Sequence, residues 1–326
     1  MKRREFLGSL AAGLGSTLLA SEHLGALTPS AAIPPSPRAG LPAHDRFIER
    51  WSWAMGQPVH LQLFASSDDE GYAAAEEALA ELRLVEQHLS LFSEASDLSE
   101  LNRRAGGKGT RVGPDLQRVL ERSLQLERLT QGAFNPAVEP LMRLWGFRAP
   151  RASEPTIGEL AEARESVRAA RILLAGDYVS LPVGHTQLDL GGIGVGYGLD
   201  RAISRLRARG IQSAFLDVSG DCFALGAPPG QDGWLVDIAS PRSGGKPLAT
   251  TRLRGAALAT SANTVSVVRY GRAVRGHVMN PESGWPADAL VQVSVVARTG
   301  IDADALSTAM LVSGKPCRGV LRYYPV

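Results

Sequence analysis

The chain has 326 residues, 44% of them hydrophobic and 21% charged, with a formal net charge of +2. That size and apolar content support one large packed domain or two ordinary ones. The interspersed charge argues against a nucleic-acid surface, which would gather basic residues on one face. The two cysteines, Cys222 and Cys317, are far apart and lack a C-x-x-C spacing, which argues against a thiolate zinc site.

The start, Lys2-Arg3-Arg4-Glu5-Phe6-Leu7, resembles a twin-arginine export motif. The apolar run from Phe6 to Ala20 has the length of a signal core and is too short to span a bilayer comfortably. The reading is a signal peptide over 1–32, a Pro/Ala/Ser-rich linker over 33–44 and a folded body over 45–326, with no later membrane span. Export to the periplasm is expected.

Val59 to Phe64 alternates as a strand. Ser66-Ser67-Asp68-Asp69 caps a helix expected over Tyr72 to Phe92, with Ala75, Leu79, Leu82, Val85 and Leu89 on one face. A helical turn at Asp97–Asn102 and a short strand at Thr110–Val112 follow. Next come a helix from Leu116 to Thr130, a loop at Ala133–Pro136, a segment from Val138 to Trp145 and a charged helix from Ser153 to Arg168. Ile172–Leu174 and Tyr178–Leu181 read as a hairpin.

Asp189-Leu190-Gly191-Gly192-Ile193-Gly194-Val195-Gly196-Tyr197-Gly198 then leads into a helix predicted from Leu199 to Arg209. Glycines before a helix allow close backbone approach, and a helix N-terminus favours anions, so a tight turn and a phosphate cradle are both open readings. Strands are expected at Ser213–Val218, Trp234–Ile238, Leu248–Leu253 and Leu290–Ala297. A last helix runs from Asp302 to Val312 and stops at Gly314. Helices and strands mix without strict alternation, which predicts an α+β fold of mixed and antiparallel sheets packed with helices.

Asp304 and Thr308 lie four apart and share a helix face. Together they could offer oxygens to a hard cation such as Mg²⁺, or Asp304 could serve the helix start while Thr308 bonds back to the preceding turn. His277 could act as acid or base, or be a loop residue. Trp145 and Phe147 could stack on a ligand or fill a core.

Several segments, taken in order, resemble the FAD:protein FMN transferase (ApbE) family. They are Leu91-Phe92-Ser93, Ser99-Glu100-Leu101-Asn102, Gly132-Ala133-Phe134-Asn135-Pro136, Leu144-Trp145-Gly146-Phe147, Asp189 to Arg201, Ser219-Gly220-Asp221, Ala259-Thr260-Ser261, His277 to Gly284 and Ala303 to Ala309. The resemblance spans roughly Met55 to Gly314. It implies an Mg²⁺-dependent enzyme that cleaves FAD and passes FMN to a threonine or serine hydroxyl of an acceptor redox protein, releasing AMP. It maps the flavin site onto Met55, Asn102, Ala133, Phe134, Asn135 and Asp189. It maps the metal ligands onto the Gly194 carbonyl, Asp304 and Thr308, and the base onto His277.

The chain departs from the family pattern. Val195 stands where a lysine is usual, and Asn135, Asn263 and Asn280 where aspartates are usual. Ser219 replaces a glycine, Glu282 replaces an arginine, and the family often adds a strand after the last helix. These departures motivate one alternative, a non-catalytic flavin-binding or assembly factor; an FAD pyrophosphatase, with water in place of the acceptor hydroxyl, is the other.

Overall fold

The computed structural model describes residues 31–32, 45–241 and 245–326. The leader and linker expected over 1–44 lie outside them, apart from Ala31–Ala32. The strands are β1 (Ala31–Ala32), β2 (Arg46–Ala54), β3 (Gln57–Ala65), β4 (Thr110–Arg111), β5 (Leu173–Ala175), β6 (Tyr178–Ser180), β7 (Ser213–Val218) and β8 (Asp221–Leu225). They continue with β9 (Trp234–Ile238), β10 (Ala249–Leu253), β11 (Ala256–Ala262), β12 (Val267–Tyr270), β13 (Ala273–Gly276), β14 (Gln292–Ala297) and β15 (Arg322–Pro325). The helices are α1 (Asp68–Leu89), α2 (Asp97–Arg103), α3 (Pro114–Leu129), α4 (Glu139–Leu144), α5 (Ile157–Ala169), α6 (Gly194–Ala208) and α7 (Gly300–Ser313).

A seven-stranded sheet organises the molecule, in the order β15-β14-β11-β8-β7-β3-β2, with antiparallel neighbours throughout. This is the expected α+β class. The period of two along β3 sends Val59, Leu61, Leu63 and Ala65 to one face, where they meet Ala74, Ala78 and Leu82 of α1 and Leu199, Ile203 and Leu206 of α6. The other face carries Phe64, Phe215, Cys222 and Ala224, which pack on Trp234, Val236 and Leu253 of β9 and β10. A second apolar cluster joins the C-terminal half of α1 to α2, α3 and α7. Trp145, Leu141, Leu160 and Met279 form a satellite core around α4 and α5.

Several boundaries differ from the sequence reading for physical reasons. Helix α1 stops at Leu89, and Phe92 lies in an exposed turn beyond it. Helix α5 starts at Ile157, fixed by a reciprocal capping box between Thr156 and Glu159. Helix α6 starts at Gly194, inside the glycine run rather than after it. Strands β2, β8, β12, β13 and β15 were not foreseen. Arg46, Glu49 and Arg50 hide the pattern of β2, which is an edge strand with only β3 beside it. Strand β15 places a strand after the last helix, paired with β14.

Candidate functional site

The site is built where α7 crosses the start of α6. Gly196 and Gly300 meet there with no room for a side chain. A methyl group on Gly196 would overlap the Gly300 carbonyl and lie 2.7 Å from Asp304 Cβ. Only glycine at both positions permits this approach. The crossing is then capped. Asp200 on α6 accepts from the α7 amides of Gly300 at 2.6 Å and Ile301 at 3.0 Å, satisfying donors that a helix start leaves unpaired. Burial pushes the Asp200 carboxyl up to about 6, against these two hydrogen bonds.

Asp304 and Thr308 project from α7 onto the glycine turn. Asp304 is buried and its Oδ2 accepts from the Gly196 amide at 2.9 Å. That amide is one of the first-turn donors that a helix start leaves unpaired, and Asp304 satisfies it. Gly192 also lies against Thr308: a methyl group there would be 3.0 Å from Thr308 Oγ1. Gly194, the residue expected to offer a carbonyl, is the first residue of α6, and its Cα side faces Met55 Cε. The geometry therefore brings together Gly192, Asp304 and Thr308, with Gly194 one step inside the helix.

Strand β11 closes the other side. Ser261 Oγ lies 2.7 Å from Ser307 Oγ and 3.3 Å from Thr308 Oγ1. Asp221, at the start of β8, accepts from the Thr260 amide at 2.9 Å. Burial, reinforced by the charge of Asp304, holds the Asp221 carboxyl well above its ordinary value, and burial likewise raises Asp304. No described Lys or Arg pairs with either. Two crowded carboxylates beside a hydroxyl offer oxygens that suit a hard divalent cation. Among the described residues no group of three His, Cys, Asp or Glu side chains could hold a metal, so any such ion would need the backbone and hydroxyl oxygens as well.

Of the expected flavin residues, Met55 borders this crossing and the others are tied to the chain that leads into it. Met55 sits in the β2–β3 turn with φ of 56°, its amide donating to Glu86 at 2.7 Å. Its sulfur lies against Gly198, where a methyl group would come within 2.9 Å. The Asn102 side chain is fully engaged: it donates to the Leu188 carbonyl at 2.9 Å and accepts from the Leu188 amide at 2.8 Å. It thus fixes the residue before Asp189. The Asp189 amide donates to the Pro136 carbonyl at 2.8 Å, which ties the glycine run to the Ala133-Phe134-Asn135 loop. Phe134 is buried in the core, and Ala133 packs at its edge. Asp189 Oδ1 accepts from Gly191 and Oδ2 from Arg148.

His277 presents its ring edge to Phe147, with centroids 6.4 Å apart. Its Nδ1 is buried without a partner. Burial lowers its basicity, partly offset by a hydrogen bond to Ser266 and the charge of Asp189, so the imidazole is held neutral. Trp145 is core: it is fully buried and its indole N–H donates to Gly284 at 2.8 Å.

Two side chains of the site were missed from sequence. Arg148 bridges Glu139 and Asp189 and lies over the Phe92 ring at 5.5 Å. Phe92 is 84% exposed, a large apolar ring left open to solvent. The signal was available in its placement after the apolar face of α1 ends. The three asparagines are used as amides. Asn135 and Asn263 each accept a backbone amide and donate, Asn135 to Glu127 and Asn263 to the Ala287 carbonyl. Asn280 accepts from Glu282 and Ser283 in a turn. An aspartate at 135 or 263 would lose a donor, and at 135 it would face the Glu127 carboxyl.

The model of the ApbE family matches residues 55–321. The chain belongs to the ApbE family. An FAD:protein FMN transferase of Treponema pallidum is 34% identical over 275 residues, covering 78% of this chain and 76% of that protein. One of Haemophilus influenzae is 27% identical, covering 80% and 79%. The solved ApbE protein of Thermotoga maritima superposes with a TM-score of 0.75 at 26% identity, over 82% of this chain and 87% of its own. The flavinyl transferase ApbE of Pseudomonas stutzeri gives 0.72 at 26% identity, over 82% and 85%. The mixed helix and antiparallel-sheet architecture is thus that of the ApbE family.

Proposed function

We propose that this ApbE-family chain is an exported FAD:protein FMN transferase. It takes FAD and an acceptor redox protein and joins FMN to a serine or threonine hydroxyl of the acceptor, with AMP as the second product. The observation that carries this is the α6–α7 crossing, where Asp304 and Thr308 meet the glycine run at a helix N-terminus. A helix start with oxygen donors beside it is suited to a pyrophosphate and its counter-ion.

Asp304, Thr308 and a carbonyl of the glycine run, that of Gly194 by the family resemblance, would hold the divalent cation expected of the family, Mg²⁺. When bound, it would neutralise charge on the phosphate oxygens. The chain's own groups do the rest. The Ala133–Asn135 loop, Asp189, Met55 and the Asn102-braced backbone border the space for the dinucleotide. His277, held neutral by burial, takes the proton from the attacking hydroxyl. The hydroxyl oxygen bonds to the FMN phosphorus, the phosphorus–oxygen bond to the AMP phosphate breaks, and AMP leaves with that oxygen. Val195 offers no cation to the phosphates and packs instead against the apolar layer under α6. The twin-arginine-type start supports export to the periplasm.

The test is incubation with FAD and Mg²⁺, with and without an acceptor protein. Protein-bound flavin appearing together with AMP supports transfer. AMP without protein-bound flavin indicates a pyrophosphatase, and FAD binding without AMP indicates a binding factor.

A further inference from the structure

We propose that Arg148 is a positioning residue of the transfer site, aligning the Asp189 carboxylate with the Phe92 ring. The inference rests on the transferase reading above. Arg148 sits just past α4, outside the glycine run and α7. It joins three separated parts of the chain. Its Nε donates to Glu139 at 2.9 and 3.1 Å, its Nη2 reaches the same carboxylate at 2.8 Å, and Nη2 also donates to Asp189 at 2.5 Å. The carbon of the guanidinium lies 5.5 Å from the centroid of Phe92.

A guanidinium is planar and presents its donors in a fixed fork, so two carboxylates fix its plane. With that plane set, the ring beneath it is set too. Phe92 has little else to hold it, being 84% exposed in the turn after α1. Arg148 therefore aligns the Asp189 carboxylate with the Phe92 ring and leaves the ring's remaining surface open for a planar ligand. Glu139 serves as the anchor: it is buried, burial raises its carboxyl, and Arg148 and Arg143 compensate its charge.

The experiment compares wild type, Arg148→Lys and Arg148→Met for FAD binding by flavin-fluorescence quenching and for KM and kcat of AMP release. Arg148→Met is expected to raise the KM for FAD about tenfold, the scale of one lost charged contact, with a smaller change in kcat. Arg148→Lys keeps the charge but not the fork, so it should raise KM as well. If Arg148→Met does not fold, Glu139→Gln/Arg148→Met removes the stranded carboxylate and is read in the same way. A folded Met variant with unchanged KM overturns the inference while the transferase reading stands. A wild type that neither binds FAD nor releases AMP overturns both.

Discussion

Asp304 is the residue on which the site turns, because its carboxylate receives the Gly196 amide while Thr308, one turn further on, lies against Gly192. Replacing it with asparagine keeps the shape but removes the charge. AMP release is expected to fall about 10²–10³-fold, the scale for loss of one transition-state contact, while the thermal midpoint changes little. Thr308→Val should lower the same rate and leave FAD binding measurable by fluorescence. Both assays read the site rather than the fold, since Ser261 and Ser307 still bond each other when Thr308 loses its hydroxyl. The asparagines at 135, 263 and 280 argue the same way: each amide is spent on local structure, so charge at the site rests on Asp189, Asp221 and Asp304.

Among the elements, α6 and α7 are held at one distance by Gly196 and Gly300. Gly196→Ala puts a methyl group into the Gly300 carbonyl, and backbone cannot give way as a side-chain tip can. The expected cost is about 1–3 kcal/mol of stability by chemical denaturation, with AMP release lost in the folded fraction. An unchanged rate would show that Asp304 and the glycine turn need not be in register. Helix α6 is also braced at its side. Asp115, buried at the start of α3, accepts from Tyr197 and His88 and pairs with Arg201, which in turn pairs with Glu81 of α1. Burial alone would raise the Asp115 carboxyl, but the Tyr197 and His88 hydrogen bonds and the Arg201 charge leave it below its ordinary value. A lowered carboxyl contributes stability above its unfolded pKa, near 4, and loses it as pH falls through the folded value. Asp115→Ala should therefore destabilise the chain by about 3 kcal/mol at pH 7. The gap between variant and wild type should close as the pH is taken below about 4.

At the scale of the molecule, the sequence carried the class of fold and the helices with strong apolar periodicity. Helix α1 was legible because Ala75, Leu79, Leu82, Val85 and Leu89 all bury on one face. Helix α7 was legible from its glycine stop, with Gly314 in the left-handed region at φ of 66°. Strand β2 was not, because an edge strand bearing Arg46, Glu49, Arg50, Trp51 and Trp53 has no alternation to betray it. The start of α6 was misplaced because glycines signal a turn locally, and only the packing of α7 makes them helical. Arg148 was invisible because nothing local says that residues 92, 139 and 189 converge on it.

That convergence of α7 on the glycine turn is claimed to serve a single reaction with two products. The direct measurement is the ratio of AMP released to flavin retained on a denatured acceptor protein, with FAD and Mg²⁺ supplied to wild type and to Asp304→Asn. The account expects one AMP per retained flavin in the wild type and neither product in the variant. AMP and retained flavin from Asp304→Asn at the wild-type rate would contradict it.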